Sequence, residues 1–279
     1  MMLEQVLKRL LVGTRIINEM LTKLQLDFYN ENGYIIVKDI LTNEQCDLCY
    51  ETIRKVADKD YSAIMNPDRI EFLISQCHHM FEECDSLYEK TALYQQLNNI
   101  SEMMRSVMRN EKAVQILEQI QNHEVSGLMS QMLFKEAQST YSVQAWQPHQ
   151  DNAYPKNKNG AYLTTNFFFR DANRENGSLF IYPGSHTNGL IECNERPSYR
   201  ESKGNNPGNI ISEELLKKFD KVDVEFSKGD MLVLHGNCVH GSYPNNSLHS
   251  RPLLSCSYIT KGEQFIAGKN AQRKEISLH

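Results

Sequence analysis

Apolar residues recur at three- and four-residue intervals through the start of the chain: Leu3, Val6, Leu7, Leu10, Ile17, Leu21 and Leu24. That period draws one stripe along a helix and predicts an amphipathic helix over residues 1–28. Lys8, Arg9, Arg15 and Lys23 make it basic. A basic amphipathic helix can lie on a membrane surface. Packing on the body of the protein or on a partner subunit is the commoner use of such a stripe, and is the reading preferred here. Asn32-Gly33 then reads as a helix C-cap, and Tyr34 to Val37 is β-branched and aromatic enough for a strand. Thr42, with Gln45 three residues on, forms a capping box that restarts a helix. From there to about residue 122 the pattern is helical, punctuated at Asn66-Pro67-Asp68.

The period changes after Gly127. Short apolar or aromatic runs follow: 128–134, 161–169, 179–182, 222–226, 231–234 and 253–259. Gly, Pro and Asn clusters separate them, as in an all-β sandwich or barrel. The stretch 194–209 is rich in Asn, Pro and Gly and reads as a long loop or lid. The whole is an α+β chain. Residues 1–27 are expected as an N-terminal amphipathic helix and 28–279 as one domain, helical over about 42–122 with a β core over about 128–260.

Composition narrows the function classes. With 279 residues, 40% hydrophobic and 23% charged, the chain can bury a sizeable core. Thirty Lys and Arg against 35 Asp and Glu leave a net charge of −5, so the basic footprint of a nucleic-acid binder is missing. No run of 18 apolar residues predicts a membrane span, and no secretion signal is read at the N-terminus. Seven Cys without such a signal imply reduced thiols and a cytoplasmic location. There is no G-x-S-x-G, P-loop or Rossmann fingerprint to anchor a hydrolase, NTPase or dehydrogenase.

The candidate chemistry lies in His149-Gln150-Asp151 and the distant His240. On an extended segment residues i and i+2 face the same side, so His149 and Asp151 can converge while Gln150 points away. Two His and a carboxylate form the facial triad of non-haem Fe(II) oxygenases, which leaves positions open for substrate and O2. A His-x-Asp pair alone is a common chance match. Here Arg251 follows His240 by 11 residues, at the start of a β run. Its guanidinium fork suits the far carboxylate of a keto-acid co-substrate, although a surface salt bridge is the ordinary use of Arg.

With these residues the sequence resembles the phytanoyl-CoA dioxygenase family of Fe(II)/2-oxoglutarate oxygenases. Phe28 to Val37 followed by Leu41-Thr42-Asn43-Glu44 resembles the family's opening. Glu175-Asn176-Gly177-Ser178-Leu179 with Tyr182-Pro183-Gly184-Ser185-His186 resembles its central strand pair and turn. Lys228-Gly229-Asp230-Met231 leads to the distal His, and His240-Gly241-Ser242, Asn245-Asn246-Ser247 and Arg251 resemble its closing motif. The likeness spans about residues 28–260.

The resemblance implies a double-stranded β-helix, or jelly-roll, core flanked by N-terminal helices. It implies Fe(II), 2-oxoglutarate and O2, with His149, Asp151 and His240 matching the metal ligands and Arg251 the 2-oxoglutarate anchor. Gln131, Lys135 and Asn166 match polar co-substrate positions on neighbouring strands more loosely, since many relatives carry an aromatic residue near Asn166. Halogenating relatives replace the carboxylate of the triad, so Asp151 favours hydroxylation, with release of succinate and CO2. The expected partner is a small-molecule substrate, and the chain a monomer or homodimer. A jelly-roll binding protein with a vestigial site, and a cupin-like enzyme working without 2-oxoglutarate, are the alternatives. A CoA ester would call for a basic channel, which the net charge does not support.

Other signals rank lower. His235 is the only rival to His240; His186 and His249 read as turn residues. Cys46 and Cys49, with Cys77, His78, His79 and Cys84, are a weak zinc candidate, because the first pair falls in a helix where Cys serves as a small hydrophobe. Ser277-Leu278-His279 does not match the peroxisomal Ser-Lys-Leu signal.

Overall fold

The computed structural model describes residues 20–57, 102–138, 142–143, 145–192, 194–195, 209–264 and 275–279. The first 19 residues of the expected N-terminal helix, the turn at 66–68 and the remaining zinc candidates at 77–84 lie outside the described residues.

Helix α1 (Lys23–Asn32) opens on Thr22, whose hydroxyl accepts from the Gln25 N–H while the Gln25 side chain accepts from the Thr22 N–H. This reciprocal cap starts the described helix later than the apolar stripe suggested. The stripe carries no information on caps, and the helix runs across the boundary placed at residue 27. It ends at Gly33, as the Asn-Gly pair predicts. Strand β1 (Tyr34–Val37) follows directly. Helix α2 (Asn43–Ala57) starts at the Thr42–Gln45 capping box read from the sequence. Helices α3 (Glu102–Met108) and α4 (Glu111–Gln121) complete the helical part.

The β part begins with β2 (Val125–Lys135), β3 (Trp146–His149), β4 (Tyr162–Phe168) and β5 (Leu179–Ile181). After β6 (Asn194–Glu195), β7 (Asn209–Ile210) and the short helix α5 (Glu213–Leu216) come β8 (Val222–Asp223), β9 (Met231–His235), β10 (His240–Ser242) and β11 (Arg251–Thr260). They form a five-stranded sheet, β1-β9-β4-β11-β2, and a four-stranded sheet, β3-β10-β5-β8, with antiparallel pairing throughout. The 194–209 stretch, expected as loop, is closed at its base by a ladder of β6 on β7.

Alternation along the strands sorts the larger sheet into two faces. Leu163, Phe167, Met231, Val233, Leu254 and Tyr258 pack with Cys46, Cys49, Val114 and Leu117 of the helices. The opposite face presents Phe168, Leu232, Leu234 and Leu253 to Leu179 and Ile181 of the smaller sheet. The second cluster joins the two sheets, and the residues that continue its face along each strand surround the site. Cys46 and Cys49 sit fully buried in the first cluster, as small apolar residues do. Gly229 ties helix and sheet together. Its carbonyl accepts from the N–H groups of Ile40 and Leu41, and a Cβ there would lie 2.5 Å from the Leu41 carbonyl oxygen. Among the described residues, no helix is long and apolar enough to cross a membrane.

Candidate metal centre

Strands β3 and β10 pair so that His149 lies opposite His240, with ring centroids 4.6 Å apart. Each imidazole is held the same way. His149 Nδ1 meets the Gln147 carbonyl at 2.7 Å, and His240 Nδ1 meets the Cys238 carbonyl at 3.0 Å. A carbonyl only accepts, so both Nδ1 atoms carry the proton and both Nε2 lone pairs are left for a metal. Those Nε2 atoms lie 3.5 and 3.7 Å from the two carboxylate oxygens of Asp151. One ligand atom from each residue falls within 4.8 Å of the others, and among the described residues no second group of three His, Cys, Asp or Glu does so.

The sequence placed both residues of His-x-Asp on one extended segment. In the structure the strand ends at His149 and Asp151 opens a one-turn 3-10 helix, Asp151–Ala153. Gln150 between them is extended (φ −111°, ψ 130°), which preserves the same-side placement. Its side chain points away and is fully engaged. Gln150 Nε2 donates to the carbonyls of Gly189 (2.8 Å) and Asn237 (2.7 Å), while its Oε1 accepts from the Ile191 N–H (2.8 Å). Asn152 Nδ2 donates to Asn237 Oδ1 and to the Asn157 carbonyl. These amides fasten the His149–Asp151 segment to the loop leading into His240. Nothing local in the sequence signals this, because Asn237 lies 85 residues from Asn152 and 87 from Gln150. Replacing Gln150 by Leu leaves the buried Asn237 carbonyl and two part-buried backbone groups unpaired, and a loss of about 1–3 kcal/mol for the buried group is expected in urea unfolding.

Burial disfavours the charged form of Asp151, but the adjacent His240 and His149 and a polar influence from Thr164 outweigh it. The carboxyl is held well below the usual carboxylate range. Burial pushes His240 below the ordinary imidazole value. Both directions favour the metal-binding forms, ionised Asp and neutral His.

Arg251 and Lys135 are cross-strand partners at one end of the β11–β2 ladder, and both are almost completely buried. Arg251 Nε donates to the Gly177 carbonyl (3.1 Å) and Nη1 to the Leu133 carbonyl (3.0 Å). Lys135 Nζ donates to Ser242 Oγ (2.9 Å) and to the Tyr243 carbonyl. Burial, reinforced by Arg251, pushes the Lys135 ammonium well below its ordinary value. Ser242 lies two residues beyond His240 on the same face of β10, a step of about 7 Å. The cation pair is thus placed one strand step from the triad. Asn245 bonds the Lys135 carbonyl through Nδ2 and so fixes the ladder end. Gly177 makes the approach possible. Its φ is +91°, and a Cβ would lie 2.8 Å from Lys135 Cδ. Gly177→Ala is expected to cost about 1–3 kcal/mol of backbone strain. Urea unfolding of the variant would show this loss.

Gln131 of β2 and Asn166 of β4 flank Ser255 of β11 in one cross-strand row. The row lies two residues from Leu133, Leu253 and Phe168 along each strand and therefore shares their inter-sheet face. The structure thus brings Gln131, Lys135 and Asn166 to the same wall as Arg251.

His235 is not part of the triad. Its Nδ1 accepts from the Asn237 N–H at 3.0 Å, and its ring sits 5.1 Å from that of His186. Burial and then His186 push it down to about 4. A group with a lowered pKa leaves the unfolded chain to take the proton first as pH falls, so stability declines from about pH 6.5 toward pH 4. About 2 kcal/mol should be lost between pH 7 and pH 5 from this residue. Comparing urea unfolding of the wild type and His235→Gln at both pH values isolates it. His186 Nε2 lies 3.1 Å from the Asn30 carbonyl, and His249 is exposed.

Two imidazoles and a carboxylate converging on paired antiparallel strands are the donor set of the non-haem iron oxygenases. The family model for Phytanoyl-CoA dioxygenase (PhyH) matches residues 29–253. The chain belongs to that family, and is accordingly an Fe(II)/2-oxoglutarate-dependent oxygenase. Phytanoyl-CoA dioxygenase 1 of Oryza sativa subsp. japonica is 25% identical over 295 residues, covering 91% of this chain and 95% of that one. The human peroxisomal phytanoyl-CoA dioxygenase is 21% identical over 260 residues, covering 93% and 74%. Among solved structures, the epimerase SnoN in complex with Fe3+, α-ketoglutarate and nogalamycin RO superposes with a TM-score of 0.62 at 16% identity, covering 91% and 94%. At this identity the likeness speaks for the fold.

Proposed function

We propose that this chain hydroxylates a small-molecule metabolite, coupling insertion of one oxygen atom of O2 into a C–H bond to conversion of 2-oxoglutarate to succinate and CO2. We read the two antiparallel sheets as a double-stranded β-helix, with His149, Asp151 and His240 as metal ligands in its interior. The observation that carries the reading is the buried Arg251–Lys135 pair one strand step from the triad. Two cations brought together in a low-dielectric interior repel each other, and a dianionic ligand relieves that. The separation suits a short dicarboxylate that meets the metal at one end and the cations at the other.

The donor set fits iron: two neutral imidazoles with fixed tautomers and one ionised carboxylate on a single side. When bound, iron and 2-oxoglutarate supply the O2 activation and decarboxylation that drive C–H oxidation. The chain's own residues orient and exclude. Gln147 and Cys238 carbonyls aim the imidazoles, and Lys135, Ser242 and Arg251 hold the far carboxylate. Gln131 and Asn166 supply polar contacts along the co-substrate. Asp151 keeps the third ligand position occupied, which favours hydroxylation over halogenation. Structures similar in fold hold small molecules such as nogalamycin RO and 5-hydroxyectoine, which supports a metabolite substrate.

Anaerobic titration of the protein with Fe(II) and 2-oxoglutarate should give a weak visible charge-transfer band. Succinate should form on admission of O2, faster when a substrate is present in a metabolite screen. No band together with no succinate would overturn this reading.

A further inference from the structure

On the inner face of the larger sheet, Thr164 of β4 and Ser257 of β11 are direct cross-strand partners. Both are buried, and neither side-chain hydroxyl has a hydrogen-bond partner among the described residues. Two orphaned hydroxyls side by side are unusual, because a buried polar group normally finds a partner or costs stability. Cross-strand partners place their Cβ atoms about 5 Å apart, so the two hydroxyls can reach each other.

Their surroundings give them a use. Asn152, next to Asp151, donates its N–H to the Gly236 carbonyl, and Gly236 donates to the carbonyl of Tyr162, two residues before Thr164 on the same face of β4, so the Asp151 turn sits over the Thr164 side chain, which in turn favours the Asp151 carboxylate. Both Asp151 oxygens now face imidazoles, one toward each Nε2. A metal held by both Nε2 atoms needs only one of these oxygens. The other would lose its nearest polar neighbours and require a donor.

We propose that Thr164 is the positioning residue of this centre: its hydroxyl donates to the Asp151 oxygen that does not bind the metal, while Ser257 donates to Thr164 and sets the direction of that bond. The inference deepens the proposed function and rests on its ligand assignment. A carboxylate tethered this way offers a single oxygen to the metal and leaves the remaining positions to the co-substrate and O2. The hydroxyl therefore lacks a settled hydrogen bond without metal and gains one with it, which separates it from an ordinary core residue.

The separation gives opposite signs in one experiment. Thr164→Val keeps the shape and removes the hydroxyl. Without metal, its thermal midpoint is expected to equal or exceed that of the wild type, because an unsatisfied buried hydroxyl has been deleted. Its affinity for Mn(II), measured by calorimetry on the chelator-stripped full chain, should fall about 10- to 100-fold, the range found when an orienting partner of a metal ligand is lost. Thr164→Ser should bind Mn(II) within about threefold of the wild type. Ser257→Ala should lie between the two variants, since it removes only the group that directs the bond.

Wild-type affinity in Thr164→Val overturns the proposal, as does a Thr164→Ser variant that loses as much as the valine. A fall in Mn(II) affinity matched by a fall in the metal-free midpoint would show a structural role and also overturn it. If the wild type itself takes up no Mn(II), the ligand assignment fails with it. Normal wild-type uptake with an unaffected valine variant sinks this inference alone.

Discussion

Asp151→Ala is expected to abolish succinate formation and to weaken Mn(II) binding by more than the roughly 100-fold upper range seen for orienting partners. The carboxylate is the only anion of the triad, and its charge offsets that of the cation in a buried site where solvent screens poorly. It is also the group toward which both imidazole Nε2 atoms are directed, at 3.5 and 3.7 Å. Asp151→Asn separates shape from charge. It should keep the fold and still fail in turnover, because a neutral amide oxygen is a weaker ligand. Calorimetry with Mn(II) and a coupled succinate assay check both variants. Retention of a tenth of wild-type turnover by either would contradict the assignment. The pH dependence has a definite sign. A carboxyl held below its usual range contributes stability that is present above the unfolded-state value and lost as pH falls through the lowered one.

The second large effect concerns the co-substrate. Arg251→Ala is expected to raise the KM for 2-oxoglutarate by about 100-fold or more, in line with the 2–5 kcal/mol cost of truncating one member of a buried charge pair. Mn(II) affinity should change little, since the anchor and the metal are separate contacts. Lys135→Met should also raise that KM. Its melting midpoint without ligand is expected to hold or rise, because the change removes one of two neighbouring buried cations and replaces it with an apolar chain of similar reach. Adding 2-oxoglutarate at about 100 times its Kd should stabilise the metal-loaded wild type by about 2.7 kcal/mol. The same concentration should barely move Arg251→Ala. An unchanged KM in Arg251→Ala would refute the anchor role.

Much of the site could be read from the chain because its ingredients are local or lie in a fixed order. His149 and Asp151 are two residues apart, a spacing that any extended backbone converts into a shared side. Both capping signals, Thr42 with Gln45 and Asn32-Gly33, depend on neighbours within four residues and appear where expected. The longer strands were legible because short apolar and aromatic runs are punctuated by Gly, Pro and Asn clusters. What was illegible depends on pairings across long stretches of chain. The Thr22–Gln25 cap that opens α1 is hidden within the apolar stripe. The β6–β7 ladder sits inside a stretch whose composition is that of a loop. The Gln150, Asn152 and Asn237 amides, and the carbonyls of Gln147 and Cys238, carry no motif, since backbone oxygens leave no trace in a sequence. Thr164 and Ser257 are ordinary strand residues until register places them opposite each other.

The two imidazoles and the carboxylate are mounted differently. His149 and His240 are paired across a ladder, so neither can shift without the other and without the sheet register that holds them. Asp151 stands two residues past the end of its strand, on a 3-10 turn. Exchange of that residue therefore leaves the pairing of β3 with β10 intact. The candidate centre thus has one half locked by sheet register and one half carried on a turn beyond it.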